Sequence, residues 1–286
     1  MSGWFRPLAE GPAKHLVRLA RDPEYRALCR LDASLGRLPR YRECRARVHG
    51  LDLTIPDAAS FLISFREIFV ERTLAFRWNG AEPRILDLGA NIGMSVLAFK
   101  RAFPRAKVTA LEPDPRLFEI LKRNVHGNGF TDVTLLEKAA WREATRLRFL
   151  PDGADGGRAL CPDANASVAG GSGGAAGSRR AVEVDALDIP ALLRDEPFDF
   201  VKMDIEGAER ALIPACAGSL GRISYLFVEY HGFSAEKPAL SSVVGPLEEA
   251  GFRIQVHTVR SPRHPFLVDG ADGNGDLILH IYGSRP

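Results

Sequence analysis

The chain predicts an α/β fold, a mostly parallel sheet with helices on both faces. From residue 84 to residue 250, short apolar runs alternate with segments of helical period, as successive strand–helix–strand units do. The runs are continuous rather than alternating, which suits strands buried on both sides. With 286 residues, 45% hydrophobic and 26% charged, the chain can bury a large core, and a disordered or fibrous chain is excluded.

The elements follow in order. Residues 12–48 read as helical and Arg-rich, with Leu16, Leu19 and Ala20, then Leu28, Leu31 and Leu35, at three- and four-residue steps. Gly50 and Pro56 punctuate the chain around a short strand at 51–55. An apolar stripe of Phe61, Phe65, Ile68, Phe69 and Leu74 predicts a helix over 59–77, ended by Asn79-Gly80. A strand at 84–88 precedes a helix through Met94, Leu97, Ala98 and Phe103. Then come a strand at 107–111, a helix at 115–124, and strands at 133–137, 198–203 and 223–228. A helix at 238–250 leads to two runs, 253–259 and 277–282, which read as an antiparallel ribbon on the sheet edge.

Two segments stand apart. Residues 1–50 hold eleven Lys/Arg against five Asp/Glu, a local +6 in a chain of net +2, so the remainder is net acidic. This basic extension reads as a solvated helical arm; contact with phosphates or a membrane surface is the alternative. Residues 151–180 are dominated by Gly, Ala, Ser and Asp, bury too little to offset ordering entropy, and are expected to be mobile, as a lid or as a linker. The remaining domain is assigned to residues 51–286.

Cys29, Cys44, Cys161 and Cys216 form no CxxC pair, so zinc and disulfide frameworks are not expected and reduced thiols in a cytoplasm are. Neither a secretory signal nor a run of about 18 apolar residues is seen, so no membrane span is expected.

The most informative stretch is Asp87-Leu-Gly-Ala-Asn-Ile-Gly-Met94, which follows a strand and opens a helix, the position where an open α/β sheet binds a nucleotide-like ligand. Counted from Gly89, the dinucleotide fingerprint GxGxxG would need glycines at Asn91 and Met94, which argues against NAD or FAD. A GxxxxGK[ST] loop is absent as well. S-adenosyl-L-methionine, adenosine without a pyrophosphate, fits what remains. Asp87 stands where a carboxylate could meet its cationic groups, and Glu112, about 20 residues beyond the first glycine, is placed to accept from the ribose hydroxyls.

Three stretches together, Ile85-Leu-Asp-Leu-Gly-Ala-Asn-Ile-Gly, Leu111-Glu-Pro-Asp-Pro and Phe198-Asp-Phe-Val-Lys-Met-Asp-Ile-Glu-Gly-Ala-Glu, resemble the FkbM family of S-adenosylmethionine-dependent methyltransferases. Val228-Glu-Tyr-His fits the same pattern. The resemblance covers roughly residues 51 to 282 and implies a Rossmann-like class I methyltransferase fold of seven strands, with O-methylation of a hydroxyl on a sugar or secondary metabolite. It implies that Gly89, Asn91 and Gly93 line the methionine part, with Asp87 and Ala90 in the same turn. Glu112, followed by Pro113, would hold the ribose, and Ala139, Ala140 and Trp141 would border the adenine; Trp141 reads equally as a core aromatic.

Methyl transfer from a sulfonium needs an aligned acceptor and a base. Asp204 and Glu206 lie two apart after one strand, and Glu229 and His231 two apart after the next, so each pair can face the crevice. His231 is the expected general base because a neutral imidazole is available near pH 7. Glu229 would orient it and stabilise its protonated form, and Asp204 belongs to the catalytic constellation or contacts the cofactor's amino group. The other six histidines show no comparable neighbours in sequence, and Glu209 reads as solvated. Alternatively, Asp204, Glu229 and His231 hold Mg²⁺. The rivals are a nucleotide-dependent oxidoreductase and a non-catalytic binding protein. A nucleic-acid substrate is not expected beside a net acidic sheet region; a small hydroxylated molecule is.

Overall fold

The computed structural model describes residues 12–80, 82–151, 157–160, 180–234, 236–267 and 276–285. The chain begins with α1 (Pro12–Arg21) and α2 (Pro23–Leu35), where Asp22 caps α2 by accepting from the amides of Glu24 and Tyr25. The helical reading to residue 48 is corrected. Cys44-Arg-Ala-Arg-Val alternates in burial and forms β1 (Cys44–Val48), antiparallel to β2 (Leu51–Ile55). His49 and Gly50, at φ 55° and 83°, make the two-residue left-handed turn that suits the twist of a hairpin.

Next comes α3 (Ala58–Phe65), capped by Asp57, which continues as one π-helical turn, Arg66–Val70. The helix thus stops short of residue 77, well before Asn79-Gly80. Arg72, at φ 58°, turns the chain away, and the amide and hydroxyl of Thr73 donate back to the Glu67 carbonyl.

The expected alternation then appears: β3 (Arg84–Leu88), α4 (Met94–Ala102), β4 (Lys107–Leu111), α5 (Pro115–Val125) and β5 (Thr134–Leu136). A second sheet, absent from the sequence reading, is built from β6 (Ala139–Trp141), β7 (Thr145–Pro151), β8 (Gly157–Leu160) and β9 (Val182–Asp188), in the order β6-β9-β7-β8. Within the Gly/Ala/Ser-rich insert, Gly157–Leu160 pairs with β7; residues 152–156 and 161–179 lie outside the described residues. The chain continues through α6 (Ile189–Asp195), β10 (Phe200–Met203), α7 (Glu209–Ala215), α8 (Ala217–Leu220), β11 (Tyr225–Gly232), α9 (Leu240–Glu249), β12 (Arg253–Arg260) and β13 (Leu277–Ser284).

The main sheet has seven strands in the order β12-β13-β11-β10-β3-β4-β5. β11, β10, β3, β4 and β5 run parallel, and β13 is antiparallel to both β11 and β12, which is the predicted edge ribbon. Alternate residues feed two cores. Ile85, Val108, Phe200 and Phe227 pack under Phe61, Phe65, Phe99 and Leu121 on one face. Leu86, Val201, Val228 and Ile281 pack against Leu212, Ile213, Val243 and Leu247 on the other. This is the expected Rossmann-like α/β architecture, a mostly parallel seven-stranded sheet, with N-terminal helices. Among the described residues no helix is long and apolar enough to cross a membrane. Of the four cysteines, Cys29, Cys44 and Cys216 are free thiols, and Cys161 lies outside the described residues.

Register places ionisable residues side by side at the strand ends. Asp87 lies opposite Lys202, Glu229 opposite His280, and His280 opposite His257. Residues directly opposite share a face, so a row of ionisable side chains crosses the sheet on the α3 side.

Candidate active site

The turn after β3 is held from several directions. The amides of Gly89 and Ala90 both donate to the Leu111 carbonyl, at 3.1 and 2.8 Å. Gly89 has φ +82°, and a Cβ there would sit 1.9 Å from the Asp204 carbonyl oxygen, so close packing of two strand ends demands the glycine. The buried Glu112 accepts from the Asn91 amide at 2.8 Å and from the Asp114 amide at 2.9 Å, one bond per carboxylate oxygen. Burial pushes its pKa up to about 7 against those two bonds.

Gly89, Asn91, Glu112, Pro113, Ala139, Ala140 and Asp204 line one crevice. Glu206, Ile205 and Lys138 join them, and Phe149, Gly157 and Ala159 of the second sheet contribute as well. The cavity between them has a volume of about 60 Å³. Other expected residues lie outside the lining. Ala90 is buried, and Gly93, at φ +93°, starts α4 against Leu121 and Val125. Trp141 is 2% exposed and packs with Leu147, Val184 and Ala186, so of its two readings the core one describes its packing.

Asp87 is fully buried and lies outside the crevice lining. Its Oδ2 accepts from the Ser95 hydroxyl and its Oδ1 lies 3.3 Å from the Lys202 ammonium. Lys202, which the sequence reading passed over, donates to the Gly89 carbonyl at 2.7 Å and lies 3.3 Å from Asp204. Burial alone would lower its pKa, but Asp87, Asp204 and Glu229 raise it overall and keep it charged. A second missed residue is Asn124, fully buried on α5. It donates to the carbonyls of Thr54 and Ile92 and accepts from the Thr54 amide, so one side chain ties the β1–β2 hairpin to the glycine turn.

The presumed catalytic cluster is denser than expected. His231 is buried; its Nε2 lies 3.4 Å from both Glu206 and Glu229, and its Nδ1 lies 3.5 Å from Glu209. Burial opposes the charge, yet these carboxylates raise the His231 pKa well above the ordinary histidine value. That shift favours the protonated imidazole, the reverse of what a neutral base needs. Glu209, expected in solvent, is fully buried and accepts from the amides of Gly207 and His231, at 2.8 and 2.7 Å. The reading that no other histidine had such neighbours is also corrected. His280 meets Glu229 at 2.9 Å, a contact set by strand register, and His49 meets Glu24 at 2.8 Å. Burial opposes ionisation of Glu229, but its bonds to His231 and His280 depress its pKa strongly.

Asp204 and Glu206 show the opposite shift. Burial, with Glu229 and other carboxylates nearby, pushes Asp204 up to about 6 and Glu206 up to about 8. Glu206 has φ 55° and is followed by Gly207 at φ 99°, a sharp left-handed step of the strained kind found at functional sites. One ligand atom each from Asp204, Glu206 and His231 lies within 4.8 Å of the others, a grouping in which Glu206 stands where Glu229 was expected.

The crevice fits S-adenosylmethionine chemically. Its lining carries Glu112, Asp204 and Glu206, whose oxygens can accept from the cofactor's ammonium and ribose hydroxyls. Each Glu112 oxygen keeps a lone pair beyond its backbone bond for a ribose hydroxyl.

Comparison with known proteins agrees. Residues 87–254, more than half of the chain, match the methyltransferase FkbM domain. Methyltransferase sdnD of Sordaria araneosa is 39% identical over 61 residues, which are 21% of this chain and 24% of that protein. Methyltransferase 1 of Beauveria bassiana is 31% identical over 98 residues, 33% of this chain and 39% of that one, so the chain matches well under half the length of either. Among solved structures, methyltransferase FkbM from Methylobacillus flagellatus aligns with 93% of this chain and 60% of its own, at 14% identity and TM-score 0.47. A precorrin-6y C5,15-methyltransferase from Geobacter metallireducens aligns with 77% and 87%, at 15% identity and TM-score 0.40. With its glycine turn, Glu112 and the Asp204–Glu209 block all inside the matched region, this chain belongs to the FkbM family of S-adenosyl-L-methionine-dependent methyltransferases.

Proposed function

We propose that the chain transfers a methyl group from S-adenosylmethionine to a hydroxyl of a small molecule, on a sugar moiety or a secondary metabolite. One observation carries the reading: a single crevice has Asn91 and Glu112 on one wall and Asp204 and Glu206 on the other, at the carboxyl ends of β3, β4 and β10. When bound, the cofactor supplies a methyl on a sulfonium, already activated for in-line displacement. The chain's own task is to align the acceptor and remove its proton. Glu112 and Asn91 hold the ribose side, and Ala139 and Ala140 offer the apolar surface an adenine needs.

Glu206 takes the hydroxyl proton. Its pKa near 8 lies close to working pH, where a general base is most effective, and its side chain lines the crevice. Protonated His231, 3.4 Å away, stabilises the Glu206 carboxylate, and Glu229 and Glu209 hold the imidazole in place. The test is methylation of a panel of glycosides, polyketides and phenols, read by mass spectrometry. The parent should show a rate that climbs as pH rises toward 8. Glu206→Gln should lose turnover while still binding S-adenosylhomocysteine, and full activity in that variant removes Glu206 as base.

The approach of Asp204, Glu206 and His231 to within 4.8 Å supports a second reading, in which a divalent cation orients and acidifies the hydroxyl. Dialysis against EDTA separates the two: rates unchanged after chelation favour the carboxylate base, and rates restored by added Mg²⁺ favour the metal.

A further inference from the structure

Helix α1 packs inward through half-buried His15, Arg18 and Leu19; the His15 Nδ1 lies 2.8 Å from the Tyr25 hydroxyl of α2. Its outer side presents Ala13, Leu16, Val17 and Ala20, spaced i, i+3, i+4 and i+7 and therefore on one face. All four are exposed, with Leu16 at 65% and Val17 at 53%. Lys14 and Arg21, both exposed, border this face along one flank. The first fifty residues together carry +6.

From this surface we propose that α1 docks the protein on an anionic lipid bilayer, lying in the interface plane with Leu16 and Val17 at the acyl boundary and Lys14 and Arg21 among the headgroups. Charge complementarity selects this occupant. An apolar stripe edged by cations matches a negatively charged lipid surface, whereas a second copy packed α1 to α1 would set like charges against each other. The helix is 10 residues long, about 15 Å, so it rests on the surface and does not span. This inference is independent of the methyl-transfer reading.

The test is sedimentation of the full chain with phosphatidylcholine vesicles, with and without phosphatidylserine, alongside light scattering for oligomeric state. Both substituted side chains in Leu16→Asp/Val17→Asp are exposed, so the variant should keep the parent's melting temperature, which is checked first. The parent is expected to sediment with the anionic vesicles at about 0.1 M salt, and to bind much less at about 0.5 M. The double variant is expected to bind at least about tenfold more weakly. Anionic-vesicle binding unchanged in that variant would overturn the proposal. So would a parent that ignores vesicles, whether it stays monomeric or dimerises through α1.

Discussion

Replacing Lys202 with methionine keeps the volume of the side chain and removes its charge. The ammonium is the positive partner of Asp87, which is fully buried and otherwise accepts from the Ser95 hydroxyl. It is also the donor to the Gly89 carbonyl at 2.7 Å. Taking one member from a buried ion pair costs about 3–5 kcal/mol, because the other charge stays behind without compensation. Methionine leaves little cavity, so a packing loss adds little. In a chain of 286 residues that cost lowers the melting temperature by about 5–8 °C. Urea unfolding followed by circular dichroism reads the change directly. The double variant Lys202→Met/Asp87→Asn carries the second part of the argument, since neutralising the stranded carboxylate should recover about half of the loss. Lys202→Met within about 0.5 kcal/mol of the parent would refute the assigned role. A double variant weaker than the single one would do the same.

Two further outcomes follow from the same geometry. Asn124→Ala deletes three hydrogen bonds at a fully buried position and strands the Thr54 amide, so it should cost about 2–4 kcal/mol by urea unfolding, and a loss under about 1 kcal/mol would contradict the bridging role. The pH dependence follows from Glu112, Asp204 and Glu206, whose folded-state pKa values, about 7, 6 and 8, lie above their ordinary values of 4.5, 3.8 and 4.5. The folded state therefore holds these protons more tightly than the unfolded chain. The stabilisation is complete below the ordinary values and is lost as pH rises through the folded ones. The cofactor-free protein should lose thermal stability from about pH 5 to about pH 8, and Glu206→Gln should flatten the upper part of that fall. Melting curves across the range check this; stability rising over the same window would contradict it.

The parallel core was legible because its signals are local. The apolar run at 84–88, the helix opening at Met94 and the run at 107–111 each carry their own period, and β3, α4 and β4 follow them. The β1–β2 hairpin was hidden because His49, rather than a second glycine or asparagine, takes one of its two left-handed positions. The second sheet was hidden because β6 has three residues and β8 lies within a Gly/Ala/Ser-rich stretch.

The site divides in the same way. Gly89, Asn91, Glu112 and Asp204 sit in contiguous motifs, and the structure gathers them around one crevice. Lys202, Asn124 and His280 carry no such label. Their partners Asp87, Thr54 and Glu229 lie far away in sequence and meet them only through packing and register. For the same reason Glu209 looks like a helix-surface charge until β11 is laid beside it, and His231 looks neutral until three carboxylates are counted around it.

Glu112 is the proposed ribose partner in the crevice, and calorimetric titration of S-adenosylhomocysteine into the parent and into Glu112→Ala measures that pairing. One-to-one binding by the parent, weakened at least about tenfold in the variant, is the predicted result. A parent that releases no heat with this ligand, or a variant that binds it as tightly as the parent, would contradict the assignment of the crevice.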